Sequence, residues 1–176
     1  MKNITMIAIL VLLSFVMVSS VASAQDGQDI IVIYPTRWDS SQTVYSDQWI
    51  VFASGWGACH HGNVQSYLTA SYLEFILDGQ LLFASQDEVS QYWGPIFQVP
   101  AGPSATACMG KTPEMIWRAD WSYDYGYLEA GDHTLRFINK VDHPVTDAAD
   151  YDGDGNPDLF KGILRDMEIT IHVEDR

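Results

Sequence analysis

The chain has 176 residues, with 23 Asp and Glu against 9 Lys and Arg, for a formal charge of −14. Nucleic acid and anionic membrane surfaces are therefore poor partners. The length suits one ordinary domain that can bury a core without needing a metal or disulfide to do so.

Positions 1–24, MKNITMIAILVLLSFVMVSSVASA, pair a Lys2-containing start with an apolar run and a small-residue ending at Ala22-Ser23-Ala24. This pattern predicts a secretory signal peptide, with export to a secreted, periplasmic or cell-surface location and no membrane insertion. Nothing later in the chain is apolar for long enough to span a bilayer. A buried N-terminal helix is the alternative, opposed by the abrupt polar change at Gln25-Asp26-Gly27. The Asn3-Ile4-Thr5 glycosylation pattern lies inside the removed segment. Residues 25–176 then form one domain of 152 residues with a charge of −15, since only Lys2 is lost.

Along this domain period-2 alternation is common and helical periodicity scarce. Strands are expected at Ile30–Tyr34 and Trp49–Ser54. Cys59 follows, and its pairing with Cys108 is the simplest use of two cysteines in an exported chain. The bond would close a loop of 50 residues, with a stabilisation of about 4 kcal/mol in the chain-entropy model. Cys59-His60-His61-Gly62 could instead be read as a thiolate or metal site, but an extended chain sends the two histidines to opposite faces. Only Gly62–Ala70 has room for a helical turn.

Tyr72–Ala84 places Asp78-Gly79 between two apolar runs, as a type I′ hairpin requires, with Leu73, Phe75 and Leu77 on one face. A strand is expected over Tyr92–Val99, and Val99–Pro113 is patternless, so a bond at Cys108 would tether it. Met115–Tyr123 reads as a strand whose odd positions continue as rings: Trp117, Trp121, Tyr123, Tyr125 and Tyr127 alternate with Arg118, Asp120, Ser122 and Asp124. Such a stripe is first a candidate sandwich core, because aromatics dominate burial. Its tyrosine-rich end, from Trp121 through Tyr123 and Tyr125 to Tyr127, is also a candidate platform on which sugar rings stack.

A turn at Gly131-Asp132 leads into a strand over His133–Ile138. The last strand is the clearest, with Met167, Ile169, Ile171 and Val173 alternating with Glu168, Thr170 and His172. Short strands separated by Gly, Pro, Asp and Ser predict a mainly β fold. The architecture expected is an antiparallel two-sheet β-sandwich of seven to nine strands, immunoglobulin-, fibronectin- or jelly-roll-like.

Before the last strand stands Asp150-Tyr151-Asp152-Gly153-Asp154-Gly155-Asn156-Pro157-Asp158. Two carboxylates about 4 Å apart at a surface repel by roughly 4 kcal/mol, so the loop is either splayed into water or holds a cation. Counted from Asp150, Asp152 and Asp154 fall at positions 3 and 5, Gly155 at 6, Asn156 at 7 and Asp158 at 9. That spacing wraps oxygen ligands around one Ca²⁺, and the glycine suits a turn that a Cβ would hinder. The nine residues resemble the EF-hand calcium loop, and more closely the D-x-D-x-D-G loops of dockerin-type modules. The resemblance implies a calcium site and nothing about the remaining fold. Position 12 is Lys161 rather than a bidentate Glu, and no amphipathic helices flank the loop, so a last carboxylate would have to come from Asp142, Asp147 or Asp166.

No nucleophile elbow, zinc-protease helix, P-loop or dinucleotide fingerprint is present. The expected role is therefore a non-catalytic, calcium-binding module for an extracellular glycan or protein. The alternatives are a secreted β-rich glycoside hydrolase, in which two of Glu74, Glu88, Glu114 and Glu129 would converge, and a purely structural envelope or matrix component.

Overall fold

A computed structural model describes residues 28–35, 41–101, 108 and 113–176. The signal peptide expected at positions 1–24 lies outside these residues, as does most of the patternless stretch after Val99. In chain order the described elements are β1 (Ile30–Ile33), β2 (Ser41–Tyr45), β3 (Trp49–Ala58), α1 (His61–Ala70), β4 (Ser71–Leu77) and β5 (Gln80–Leu81). They continue as α2 (Gln86–Ser90), β6 (Phe97–Pro100), β7 (Met115–Gly126), β8 (Gly131–Val145) and β9 (Phe160–Glu174).

The strands form two packed sheets, ordered β1-β3-β7-β6 and β2-β9-β8-β4-β5, so the chain is the mainly β sandwich its alternation implies. Both sheets are mixed. The inner pairings are antiparallel, but β1 runs parallel to β3 and β2 parallel to β9. Successive strands β1 and β2 thus lie in different sheets, each parallel to its neighbour. Strand β2 carries too weak an alternation to be read in advance. The strand expected over Tyr92–Val99 begins only at Phe97, and before it Trp93 makes an isolated bridge to Trp121.

Asp78-Gly79 turns β4 into β5 with φ of 50° and 78°, the left-handed pair that a type I′ turn needs. The β5 edge covers only Ile76 and Leu77 of β4. Farther along that edge the Gln86 side-chain amide accepts from the Leu73 N–H and donates to the Leu73 carbonyl, at 3.1 and 2.9 Å. One side chain thus completes a backbone ladder that would otherwise stay open. Gln86 is positioned by α2, whose cap, Ser85, accepts from the Glu88 N–H while Glu88 accepts from the Ala84 N–H.

The core is aromatic. Phe75 of β4 stacks on Trp121 of β7 with ring centroids 4.4 Å apart, and Phe137, Phe83 and Phe52 surround it. Trp121 has no exposed surface, and its indole N–H donates to the Val89 carbonyl at 2.8 Å. A second cluster forms where α1 packs on β8: Tyr67 stacks on Trp56 at 4.1 Å and accepts a hydrogen bond from Asn139. Burial pushes the Tyr67 hydroxyl up to about 12, with the Asn139 hydrogen bond acting in the opposite sense.

Two truncations along the aromatic stripe, Trp121 within β7 and Tyr127 just past its end, should separate core from surface in urea unfolding. Trp121→Ala is expected to cost about 3–5 kcal/mol, as for other buried aromatics cut to Ala. Tyr127→Ala, at a residue 54% exposed, should stay within about 0.5 kcal/mol.

Candidate metal centre

The loop 150–158 leaves the end of β8 and enters β9, and its approach is pinned. The Cys59 N–H donates to the Asp147 carbonyl at 2.8 Å. Cys108, joined to Cys59 by the expected disulfide, bridges Ala149 as an isolated antiparallel pair. Ala148, between these two contacts, is buried and held at φ 63°, a conformation that few residues with a Cβ adopt without surrounding structure to impose it. The bond therefore does more than tether the patternless stretch before Met115. It fixes the backbone from which the acidic loop starts.

Within the loop, carboxylates fold back on backbone N–H groups. Asp150 accepts from Gly153 at 2.7 Å and from Gly155 at 3.0 Å, Asp152 from Asp154 at 3.0 Å, and Asp154 from Asn156 at 2.8 Å. Gly153 and Gly155 sit at φ 77° and 88°, which turns the chain around these acceptors at positions where a side chain would be strained. Asp158 closes the loop: its N–H donates to the Ala149 carbonyl at 2.8 Å, and its carboxylate accepts from the Tyr151 N–H.

The result brings one oxygen each from Asp150, Asp152 and Asp158 within 4.8 Å of one another. Asp154 stands outside that group, its carboxylate turned to the Asn156 N–H. None of the three carboxylates that could have completed the shell joins it. Asp166 is held by both arms of the Arg136 guanidinium, Asp142 pairs with His143, and Asp147 accepts from the Ala149 N–H and the Tyr151 hydroxyl. Three carboxylate oxygens are hard donors, a set that could hold a hard cation and suits soft metals poorly.

The aromatic strand is divided by depth. Trp121 is wholly buried and offers a ligand nothing, which corrects its place in the platform. Tyr123 packs on Phe83 and Tyr92 at 4.8 and 5.0 Å, and Tyr125 on Phe52 at 5.3 Å, so both line the core margin. Burial, then the neighbouring phenols of Tyr92 and Tyr125, push the Tyr123 hydroxyl above its ordinary value. Tyr127 alone projects outward, its ring edge against Trp49 at 5.3 Å and its hydroxyl accepting from Gln28. Of the two adjacent histidines, His60 is exposed and His61 sets its ring against Trp117 at 5.0 Å.

The glutamates considered for hydrolysis lie on separate elements with separate partners. Glu74 pairs with Lys140, Glu88 caps α2, Glu114 accepts from Ala101 through its carbonyl, and the Glu129 carbonyl faces His133.

No protein-family model matches the chain, and no curated protein does. A cysteine protease inhibitor from Entamoeba histolytica is similar in structure at a TM-score of 0.34 and 8% identity, over 85% of this chain and all of that one. A likeness this slight carries over neither topology nor activity.

Replacing both Cys59 and Cys108 with Ser should lower stability by about 2–4 kcal/mol. Hydrogen exchange should quicken first across Thr146–Ala149 while β4, β7 and β8 stay protected, because local openings concentrate where few contacts remain.

Proposed function

We propose that the chain is an exported β-sandwich module that binds Ca²⁺ at Asp150, Asp152 and Asp158 and engages an extracellular glycan or protein without catalysing its turnover. The observation that carries the calcium reading is the convergence of those three carboxylate oxygens within 4.8 Å on a loop whose start is anchored by a disulfide. Like charges brought this close repel by several kcal/mol at a surface, and a divalent cation turns that repulsion into coordination. In this reading Asn156 contributes its backbone carbonyl, and Asp154 contributes charge and loop shape.

Export is supported by the N-terminal pattern and by the disulfide. For the ligand surface, exposed Tyr127, just past β7 and backed by Trp49 of β3, is the part of the aromatic stripe that a sugar ring or an apolar side chain can reach.

Extracellular modules bind calcium near 10⁻⁴ to 10⁻³ M, and the Lys at position 12 places this loop at the weak end. At a Kd of about 10⁻⁴ M and about 2 mM calcium the linkage is roughly 1.8 kcal/mol. That should raise Tm by about 4–7 °C over a chelated sample. Asp150→Ala should erase the response and Asp154→Ala should weaken it. No heat in isothermal titration at millimolar calcium, or an equal Tm shift with magnesium, would show the loop to be a solvated acidic turn.

A further inference from the structure

At the opposite end of the domain from the acidic loop, two turns meet over one histidine. His133, near the start of β8, places Nδ1 2.7 Å from the Asp78 carboxylate in the β4–β5 turn and Nε2 2.9 Å from the Glu129 carbonyl in the β7–β8 connection. Both partners can only accept. An imidazolium donates from both nitrogens, whereas a neutral ring has one N–H to give.

We propose that His133 is a pH-dependent latch that, as the imidazolium, ties the β7–β8 connection to the β4–β5 turn and, as the neutral ring, releases the β7–β8 side. The choice of side follows from acceptor strength. A charged carboxylate holds a donor better than a neutral carbonyl does, so the remaining proton stays on Nδ1 facing Asp78. The Nε2 lone pair then faces the lone pairs of the Glu129 oxygen, and that contact becomes repulsive. Asp78 keeps its hold on β8 in either state, because its other oxygen accepts from the Thr134 N–H at 2.8 Å and its own N–H donates to the Thr134 carbonyl at 2.9 Å.

The charges facing the ring are Asp78 from one turn and Glu129 from the other. The adjacent Asp132 is turned to His172 at 2.6 Å, and the residue paired with His133 on β9 is the apolar Ile171. Burial opposes the charged ring, but the hydrogen bonds to Asp78 and to the Glu129 carbonyl outweigh it and hold His133 above its ordinary value of 6.5. Burial likewise opposes the charge on Asp78, and the hydrogen bonds from His133 and Thr134 outweigh it, so this carboxyl titrates below 3.8. A group whose folded pKa is raised gives its full stabilisation below the unfolded value and loses it as pH rises through the folded one. The latch is therefore fully closed below about pH 6.5 and opens as the pH rises through the raised folded value, while the Asp78 carboxyl, lowered from 3.8, stays ionised across that window.

Long-range ¹H–¹⁵N NMR of the histidine rings tests this in the intact chain, with exposed His60 as an internal reference. The expected result is a His133 pKa above 6.5 and, above that pKa, a neutral ring protonated on Nδ1, the less common tautomer. A pKa at or below 6.5, or a neutral ring protonated on Nε2, overturns the latch. Asp78→Asn should bring the His133 pKa down toward or below 6.5. His133→Gln should flatten the fall in Tm between pH 6 and pH 8 relative to the parent chain. An Asp78→Asn chain with an unchanged His133 pKa, or a His133→Gln chain with the parental pH slope, also overturns it.

Discussion

The distance between the two sheets is set by rings, and Phe75 is the ring on which the others converge. It lies flat on Trp121 and touches Phe52, Phe83 and Phe137, so each sheet reaches its partner through it. Aromatic pairs add to simple area burial only in offset-stacked or edge-on geometries. The five-stranded sheet is thus placed against β7 in a narrow range of positions, which in turn decides what else can be buried. Because Trp121 lies inside that stack, its indole N–H needs an acceptor, and α2 delivers the Val89 carbonyl. Because α2 is there, Gln86 can seal the open edge of β4.

The acidic loop depends on the same frame at one remove. Strand β3 carries Cys59 at its exit, β8 delivers Thr146–Ala149, and the disulfide with its neighbouring backbone hydrogen bond holds the two together. The carboxylates of Asp150, Asp152 and Asp158 converge because the loop that bears them departs from a fixed platform and returns into the first residues of β9. Two features that look independent in the sequence, a pair of cysteines and an acidic repeat, are one assembly in space. The patternless stretch around Cys108 gave no sign of this, since its partner, Ala149, lies outside any periodic segment.

Where a physical pattern was strong, the sequence was sufficient. The alternation at Met167–Val173, the Asp78-Gly79 turn and the cysteine pairing can each be read from local chemistry, and the sandwich follows from them; Gly62–Ala70 showed room for no more than a helical turn, where the chain forms the ten-residue α1. The misses have physical reasons too. Helix α2 carries a capping box at Ser85 to Glu88, but at five residues it has no periodicity to display. The parallel pairings of β1 with β3 and of β2 with β9 are long-range arrangements that no local residue pattern encodes. The aromatic stripe could be recognised as such, but alternation says only that the rings share a face. Depth along the strand was set by where α2 and Phe83 cover it, leaving Trp121 sealed and Tyr127 out. His133 looked like a scattered histidine because its two acceptors come from positions 55 residues and 4 residues away.

The place of β9 in its sheet has a consequence for how the chain acquires its structure. This last strand is an interior one, hydrogen-bonded to β8 on one side and to β2 on the other, with Ser41 aligned to Thr170. Pairing Ser41 with Thr170 closes a loop of 130 residues, whose entropy must be met before any contact rewards it. The β1-β3-β7-β6 sheet can assemble from strands made earlier, but its inner face has nothing complete to pack on until the final fifteen-residue strand arrives. The core therefore closes only when β9 has paired with both β2 and β8, and that long-range pairing sets the pace of folding.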